Sequence, residues 1–359
     1  MKIKMAWADI DKTAKAYVND VLDSGWLSRR KYMPRFESEM AKLHGQKYGL
    51  MVNSGTDALR IALATLKEVH RWPDRSEVII PSVTFVATAN VVLQNGLLPK
   101  FVDVDRFTYN IKPDQIARQI TPSTVAVIAV HLFGLPADMP AIMQIAQVNK
   151  LKVIEDSCET IGVHKIVGDM AAFSTYMAHM IQTGVGGVLT TSNPIYECVA
   201  RSYMNHGRTD NPNKFEFERI GYSSRVTEME AALGCAQLER FEDILTKRNE
   251  IAWELWNKLI MEPYIQCPII TKANSWMLFP IVMLKGNRDK MMSYLLERGI
   301  ESRQMMPLTN QKPYRHLVKK GEFTVAEWIN RNGFCLPCHQ LITDKEIDYM
   351  AETVNSFFK

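Results

Sequence analysis

The chain reads as an α/β protein, with a large domain on a mostly parallel sheet (residues 1–244) and a smaller C-terminal α+β domain (245–359). Three observations lead there. Short β-rich runs alternate with helical patterns through the first two-thirds of the chain. Those runs are continuously apolar rather than alternating, as strands covered on both faces are. After about residue 225 the pattern becomes one long helical stretch that leads into the smaller unit.

In chain order, "SGTDALRIALATLKEVH" (54–70) opens with small residues and carries Ala58, Leu59, Ala62, Leu63 and Leu66 at three- and four-residue spacing. That is an amphipathic helix behind a small-residue cap. The strand candidates are "EVIIP" (77–81), "KFVDVD" (100–105), "TVAVIAVHLFG" (124–134), "LKVIED" (151–156) and "GGVLTT" (186–191). The segment "RVTEMEAALGCAQLERFEDILTKRNEIAWELW" (225–256) predicts a long helix with a break near its middle. Internal repeats, low-complexity stretches and Gly/Ser linkers are absent from the sequence.

Composition narrows the function. The 359 residues are 47% hydrophobic and 23% charged, and 43 basic against 39 acidic residues leave a net charge of +4 without long like-charge runs. Such mild basicity suits an anionic small ligand and gives no support to nucleic-acid binding. The start "MKIKMAWADIDKTAK" lacks the apolar core of a signal peptide, and no run of 18 apolar residues occurs, so a cytoplasmic protein without membrane association is expected. Six cysteines in so long a chain are expected to be thiols. "CLPC" (335–338) has no second pair, so no metal site is expected there.

Four features bear on chemistry. Ser54-Gly55-Thr56 at a helix start offers backbone N–H groups to an anion, or is an ordinary cap. Asp156 closes an apolar strand, where parallel sheets bind ligands and where turns also begin. Phe85 follows a strand and either covers a flat ring or packs in the core. "FSTYMAHMIQTGVGG" (173–187) ends in a glycine-rich turn and holds a lone histidine, His179, in a region without lysine between Lys165 and Lys214. That histidine is either structural or a catalyst.

The order of these pieces resembles the sugar aminotransferase (DegT/DnrJ/EryC1/StrS) family of fold type I pyridoxal phosphate (PLP) enzymes. The resemblance runs through "NSGTDALRIAL", "EVIIPSVTFVATANVVLQNGLLPKFVDVD", "VIEDSCETIG", "GDMAAFSTYMAHMIQTGVGG", "MNHGR" and "RVTEMEAALGCAQLERF". It implies that Ser54, Gly55, Thr56 and Ser174 hold the cofactor phosphate, that Phe85 stacks on the pyridine ring and that Asp156 pairs with its nitrogen. Glu159 stands where the family has Gln or His near the ring. Ser223 stands where an Asn from the neighbouring subunit reaches the phosphate. Arg225 and Arg303 are the implied substrate contacts, in a homodimer with shared sites.

In the family pattern the residue five before the Gly-x-Gly-Gly turn is the lysine that attaches the cofactor; here it is His179. The same replacement marks the branch that includes GDP-4-keto-6-deoxy-D-mannose 3-dehydratase. The resemblance therefore implies non-covalent PLP or pyridoxamine phosphate (PMP), His179 as general base, and dehydration of a nucleotide-linked 4-keto-6-deoxy sugar, with glutamate as amino donor. The alternatives are a nucleotide-sugar aminotransferase and a non-catalytic cofactor- or sugar-binding homologue. The glycines usual near 28–32 are replaced by "SRRKY", and no cysteine spacing suits an iron–sulfur cluster.

Overall fold

The computed structural model describes every residue except 1, 210, 212, 260–262 and 320. Two helices, α1 (Lys12–Asp23) and α2 (Tyr32–Leu43), precede the first strand, β1 (Tyr48–Val52). Then come α3 (Gly55–Val69), β2 (Glu77–Pro81), α4 (Val86–Gln94), β3 (Leu98–Val102), α5 (Pro113–Gln119), β4 (Thr124–Val130), α6 (Met139–Val148) and β5 (Lys152–Asp156). The sheet is completed by β6 (Met170–Ser174) and β7 (Gly187–Thr191).

These seven strands lie in the order β1-β7-β6-β5-β4-β2-β3. The pairs from β6 to β3 are parallel, so their C-terminal ends share one edge. One strand departs from the parallel run: β7 ("GVLTT") is antiparallel to both β6 and β1. All five of its residues are buried. A strand covered on both faces carries the same continuous apolar signature in either direction.

Two other boundaries differ. The strand predicted at 100–105 occupies Leu98–Val102, because Asp103 turns its carboxylate to accept the Val325 and Ala326 N–H groups (2.9 and 3.1 Å). The β4 strand stops at Val130, and residues 132–134 form a 3-10 turn. Beyond α7 (Pro194–Met204), the long helical stretch divides at Arg240 into α8 (Glu228–Glu239) and α9 (Phe241–Lys258). The Arg240 guanidinium is drawn to Asp9, donating to its backbone carbonyl at 2.7 Å and its carboxylate at 2.9 Å.

The remaining elements are β8 (Ile265–Gln266), β9 (Leu278–Met283), α10 (Arg288–Glu297), β10 (Arg303–Gln304), α11 (Thr324–Asn332), β11 (Gly333–Pro337) and α12 (Asp344–Ser356). Their four strands make a second, antiparallel sheet, β10-β11-β9-β8, with its own core of Ile251, Leu255, Phe279, Ile281, Phe334 and Met350. Glu228 provides a long-range tie. Its carboxylate accepts the N–H groups of Arg30, Lys31, Tyr32 and Met33 at 2.5–3.1 Å, capping an α2 start that lacks a side-chain cap of its own. Among the described residues no helix is long and apolar enough to cross a membrane.

Candidate active site

A cavity of about 450 Å³ opens at the C-terminal ends of β4, β5 and β6, facing the start of α3. Its floor is the first turn of that helix. Ser54 is extended (φ −166°), and its hydroxyl accepts the Asp57 N–H at 3.1 Å. The N–H groups of Gly55 and Thr56, at the helix start, have no intrahelical acceptor and face the site. Only glycine fits at 55, since a Cβ there would lie 2.7 Å from Cys158 Sγ and 2.9 Å from Ser174 Cβ. Gly187 is equally constrained, with a Cβ falling 2.4 Å from the Ser54 carbonyl carbon. The glycine-rich turn thus lets β7 press against the helix start. Ser174 ends β6 beside it. Free N–H groups, a positive helix end and two hydroxyls make an anion seat.

Asp156 ends β5, buried, with Oδ2 accepting the Thr88 hydroxyl at 3.0 Å and Oδ1 the Cys158 N–H at 3.3 Å. Burial pushes its carboxyl above the usual range, and those two donors oppose the shift. Phe85 caps α4 with its ring 49% exposed, which leaves a flat apolar face bare in the cavity wall. The Arg303 guanidinium lies 5.9 Å from that ring's centre. Glu159 accepts the Phe133 N–H at 2.8 Å; burial raises its pKa and Arg303 opposes this.

His179 sits in the loop between β6 and β7 and lines the same cavity. Its N–H donates to the Tyr176 carbonyl at 2.8 Å, and its own carbonyl accepts from Arg248 Nη2 at 3.2 Å. Nδ1 is shielded and unpartnered, which leaves Nε2 as the nitrogen that can meet a ligand. Burial first, then the charges of Arg248 and Arg303, push the imidazole down to about 4, so the ring is neutral at pH 7. Among the described residues the lining includes no lysine.

Of the residues expected from sequence, Ser54, Gly55, Thr56, Phe85, Asp156, Glu159, Ser174, His179 and Arg303 line this one cavity. Ser223 and Arg225 do not. They lie exposed after the 205–208 turn, where Arg225 Nη2 is 3.0 Å from His206 Nε2 and donates to Ser223 Oγ at 3.4 Å. Sequence reasoning passed over Cys158 and Thr88, although both stand inside quoted motifs, and over Arg248, which looks like one more charge on a helix.

One cluster has the composition of a metal site: among the described residues, ligand atoms of His131, Glu155 and His164 lie within 4.8 Å of one another. The Ala137 N–H donates to His131 Nδ1 at 3.0 Å, so the ring proton sits on Nε2 and donates to Glu155 Oε2 at 2.9 Å. That nitrogen has no lone pair for a cation.

The model of the "DegT/DnrJ/EryC1/StrS aminotransferase family" matches residues 8–355. GDP-perosamine synthase of Caulobacter vibrioides is 31% identical, over 97% of this chain and 96% of that protein. GDP-4-keto-6-deoxy-D-mannose 3-dehydratase of Escherichia coli O55:H7 is 30% identical, over 97% of each. Among solved structures, a His-to-Asn mutant of GDP-4-keto-6-deoxymannose-3-dehydratase with bound GDP-perosamine superposes with a TM-score of 0.92 at 27% identity, covering 98% of this chain and 100% of that one.

Proposed function

From the premise that this chain belongs to the DegT/DnrJ/EryC1/StrS aminotransferase family of fold type I PLP enzymes, we propose that it is a PMP-dependent dehydratase. Its substrate in this reading is a nucleotide-linked 4-keto-6-deoxy sugar, and His179 is its general base. The observation that carries the reading is a neutral histidine in a cavity wall that has no lysine among the described residues. Without that amine the cofactor is held non-covalently.

The residues present fit such a cofactor. Bound there, it supplies an electron-accepting pyridinium ring that stabilises negative charge on the neighbouring carbon. The Gly55 and Thr56 N–H groups and the Ser54 and Ser174 hydroxyls bind its phosphate. The Asp156 carboxylate, already hydrogen-bonded by Thr88, holds the ring nitrogen's proton. Phe85 covers one ring face and orients it. His179 Nε2 takes the proton whose removal drives loss of the sugar hydroxyl, a task suited to an imidazole unprotonated at pH 7. Arg303 meets the sugar nucleotide at the mouth. Ser223 and Arg225, exposed in one chain, serve the neighbouring subunit's site in a homodimer, and glutamate regenerates the amine form.

Product masses test the reading. Protein loaded with PMP and given a panel of nucleotide-linked 4-keto-6-deoxy sugars should release product that has lost a hydroxyl, and His179→Asn should slow this by about 10²–10⁴-fold with cofactor affinity little changed. The likeness to GDP-perosamine synthase favours a second reading, amination. Product that gains an amine and keeps its hydroxyl, or an asparagine variant that dehydrates at the parent rate, overturns the first.

A further inference from the structure

Arg248, in the middle of α9, is completely buried, yet among the described residues no carboxylate pairs with it. Nη1 donates to the carbonyls of Trp276 (2.9 Å), Met277 (3.4 Å) and Cys338 (3.0 Å). Nε donates to Gln340 Oε1 at 3.0 Å, and Nη2 to the His179 carbonyl at 3.2 Å. A buried cation supported by neutral acceptors alone carries a desolvation cost that an apolar side chain of similar length would avoid. If packing were its task, Arg248 would be a poor solution. What distinguishes it is the loop it holds.

The contacts close a ring. Gln340 Nε2 donates to Asp9 Oδ2 at 3.0 Å, and the Asp9 N–H donates to Gln182 Oε1 at 2.9 Å. Gln182 lies three residues after His179 on the same loop. That loop is therefore gripped at 179 from α9 and at 182 from the N-terminal segment, with Gln340 joining the two grips. We infer that Arg248 is a positioning residue for the base: it fixes the backbone that carries the His179 imidazole and ties it to the second sheet through Trp276, Met277 and Cys338. The inference rests on His179 being the base.

The guanidinium also acts through its charge. The groups facing His179 are Arg248 from α9, Arg303 from β10, Tyr176 on its own loop, and Asp156 and Glu159 across the cavity. Both arginines hold the imidazole down, so loss of Arg248 raises its titration midpoint.

The test uses the full-length, PMP-loaded protein, supplied with glutamate, with Arg248→Met, which deletes charge and donors, and Arg248→Lys, which keeps the charge and loses the fork. Two readouts are needed: kcat and KM on the sugar in parent and His179→Asn backgrounds, and the pH midpoint for carbethoxylation of His179 by diethyl pyrocarbonate, read from peptide masses. Arg248→Met should lower kcat by about 10²-fold, as misplacement of a catalytic group does, with KM little changed and the midpoint moved up. Arg248→Lys should lose part of kcat at an unmoved midpoint. In the His179→Asn background neither should lower kcat further, since both act through one group. Equal losses in both backgrounds, or an unmoved midpoint in Arg248→Met with only Tm reduced, overturn the proposal. Should Arg248→Met not fold, parental kcat in Arg248→Lys overturns it as well. A parental rate in His179→Asn alone sinks the proposed function instead, and the carbethoxylation midpoint still tests the grip.

Discussion

Acid should destabilise this protein through a histidine that never meets substrate. His44 is fully buried, its ring centre 4.2 Å from that of Phe173. Its Nδ1–H donates to the Met40 carbonyl and its Nε2 accepts the Gly162 N–H, both at 2.9 Å, so both nitrogens are committed in the neutral form. Burial pushes it down to about 3, outweighing the Met40 bond that favours the proton. An unfolded histidine titrates near 6.5. Between those values the unfolded chain binds a proton that the folded one refuses, so stability falls as pH drops from about 6.5 toward 3. At pH 5 the loss from this one group is about 2 kcal/mol relative to pH 8. His179 works in the same direction, while Asp156 and Glu159, raised by burial, work against it. The contribution of His44 is isolated by His44→Gln, whose amide offers a donor and an acceptor but does not titrate. Urea midpoints at pH 8, 7, 6 and 5 should show the variant weaker at pH 8 by about 1–3 kcal/mol, with its fall toward pH 5 smaller than the parent's by about 2 kcal/mol. Parallel pH curves would refute the reasoning.

Three further outcomes are expected. Gly55→Ala puts a methyl 2.7 Å from Cys158 Sγ and 2.9 Å from Ser174 Cβ, so the helix start must shift: stability should drop by about 1–3 kcal/mol and PLP affinity at least tenfold, and parental values in denaturation and cofactor titration would contradict the anion seat. Borohydride treatment of PLP-loaded parent should leave no cofactor on any lysine in the peptide mass map, whereas His179→Lys should carry a reduced adduct at that position; an adduct on parent Lys165 would reverse the non-covalent assignment. Light scattering should give a dimer, with Arg225→Ala lowering activity without dissociating it, and a fully active monomer would remove Ser223 and Arg225 from the site.

Much of the site was legible because local chemistry dictated it. Ser54-Gly55-Thr56 announces a helix start, and Asp156 closes the short run "LKVIED", whose Leu151, Val153 and Ile154 mark a buried strand. His179 stood out because the stretch around it held no lysine. What stayed hidden depends on partners far along the chain. β1 (YGLMV) and β6 (MAAFS) are short and rich in small or flexible side chains, so their strand character comes from the neighbours that pair with them. Arg248 reads as a solvent-facing charge in "TKRNEIAWELW" until three carbonyls from beyond residue 275 close around it. His44 and Glu228 are hidden in the same way. A side chain buried against distant backbone leaves no periodic mark.

The placement of β7 has a consequence for synthesis on the ribosome. β1 is made first, but its strand partner is the last one of the sheet, and α2 waits for a carboxylate 198 residues away in Glu228 to reach Arg30. The parallel strands β2 to β5 can condense as they emerge, while the N-terminal segment stays uncommitted until residues 187–239 arrive. Such late closure of early chain is slow and leaves strand edges open meanwhile. A chain that stalls before Gly187 shows β6 as a bare edge of buried-type residues, a template for pairing with its own kind. The antiparallel strand is thus the stitch that converts a sticky nascent chain into a finished one.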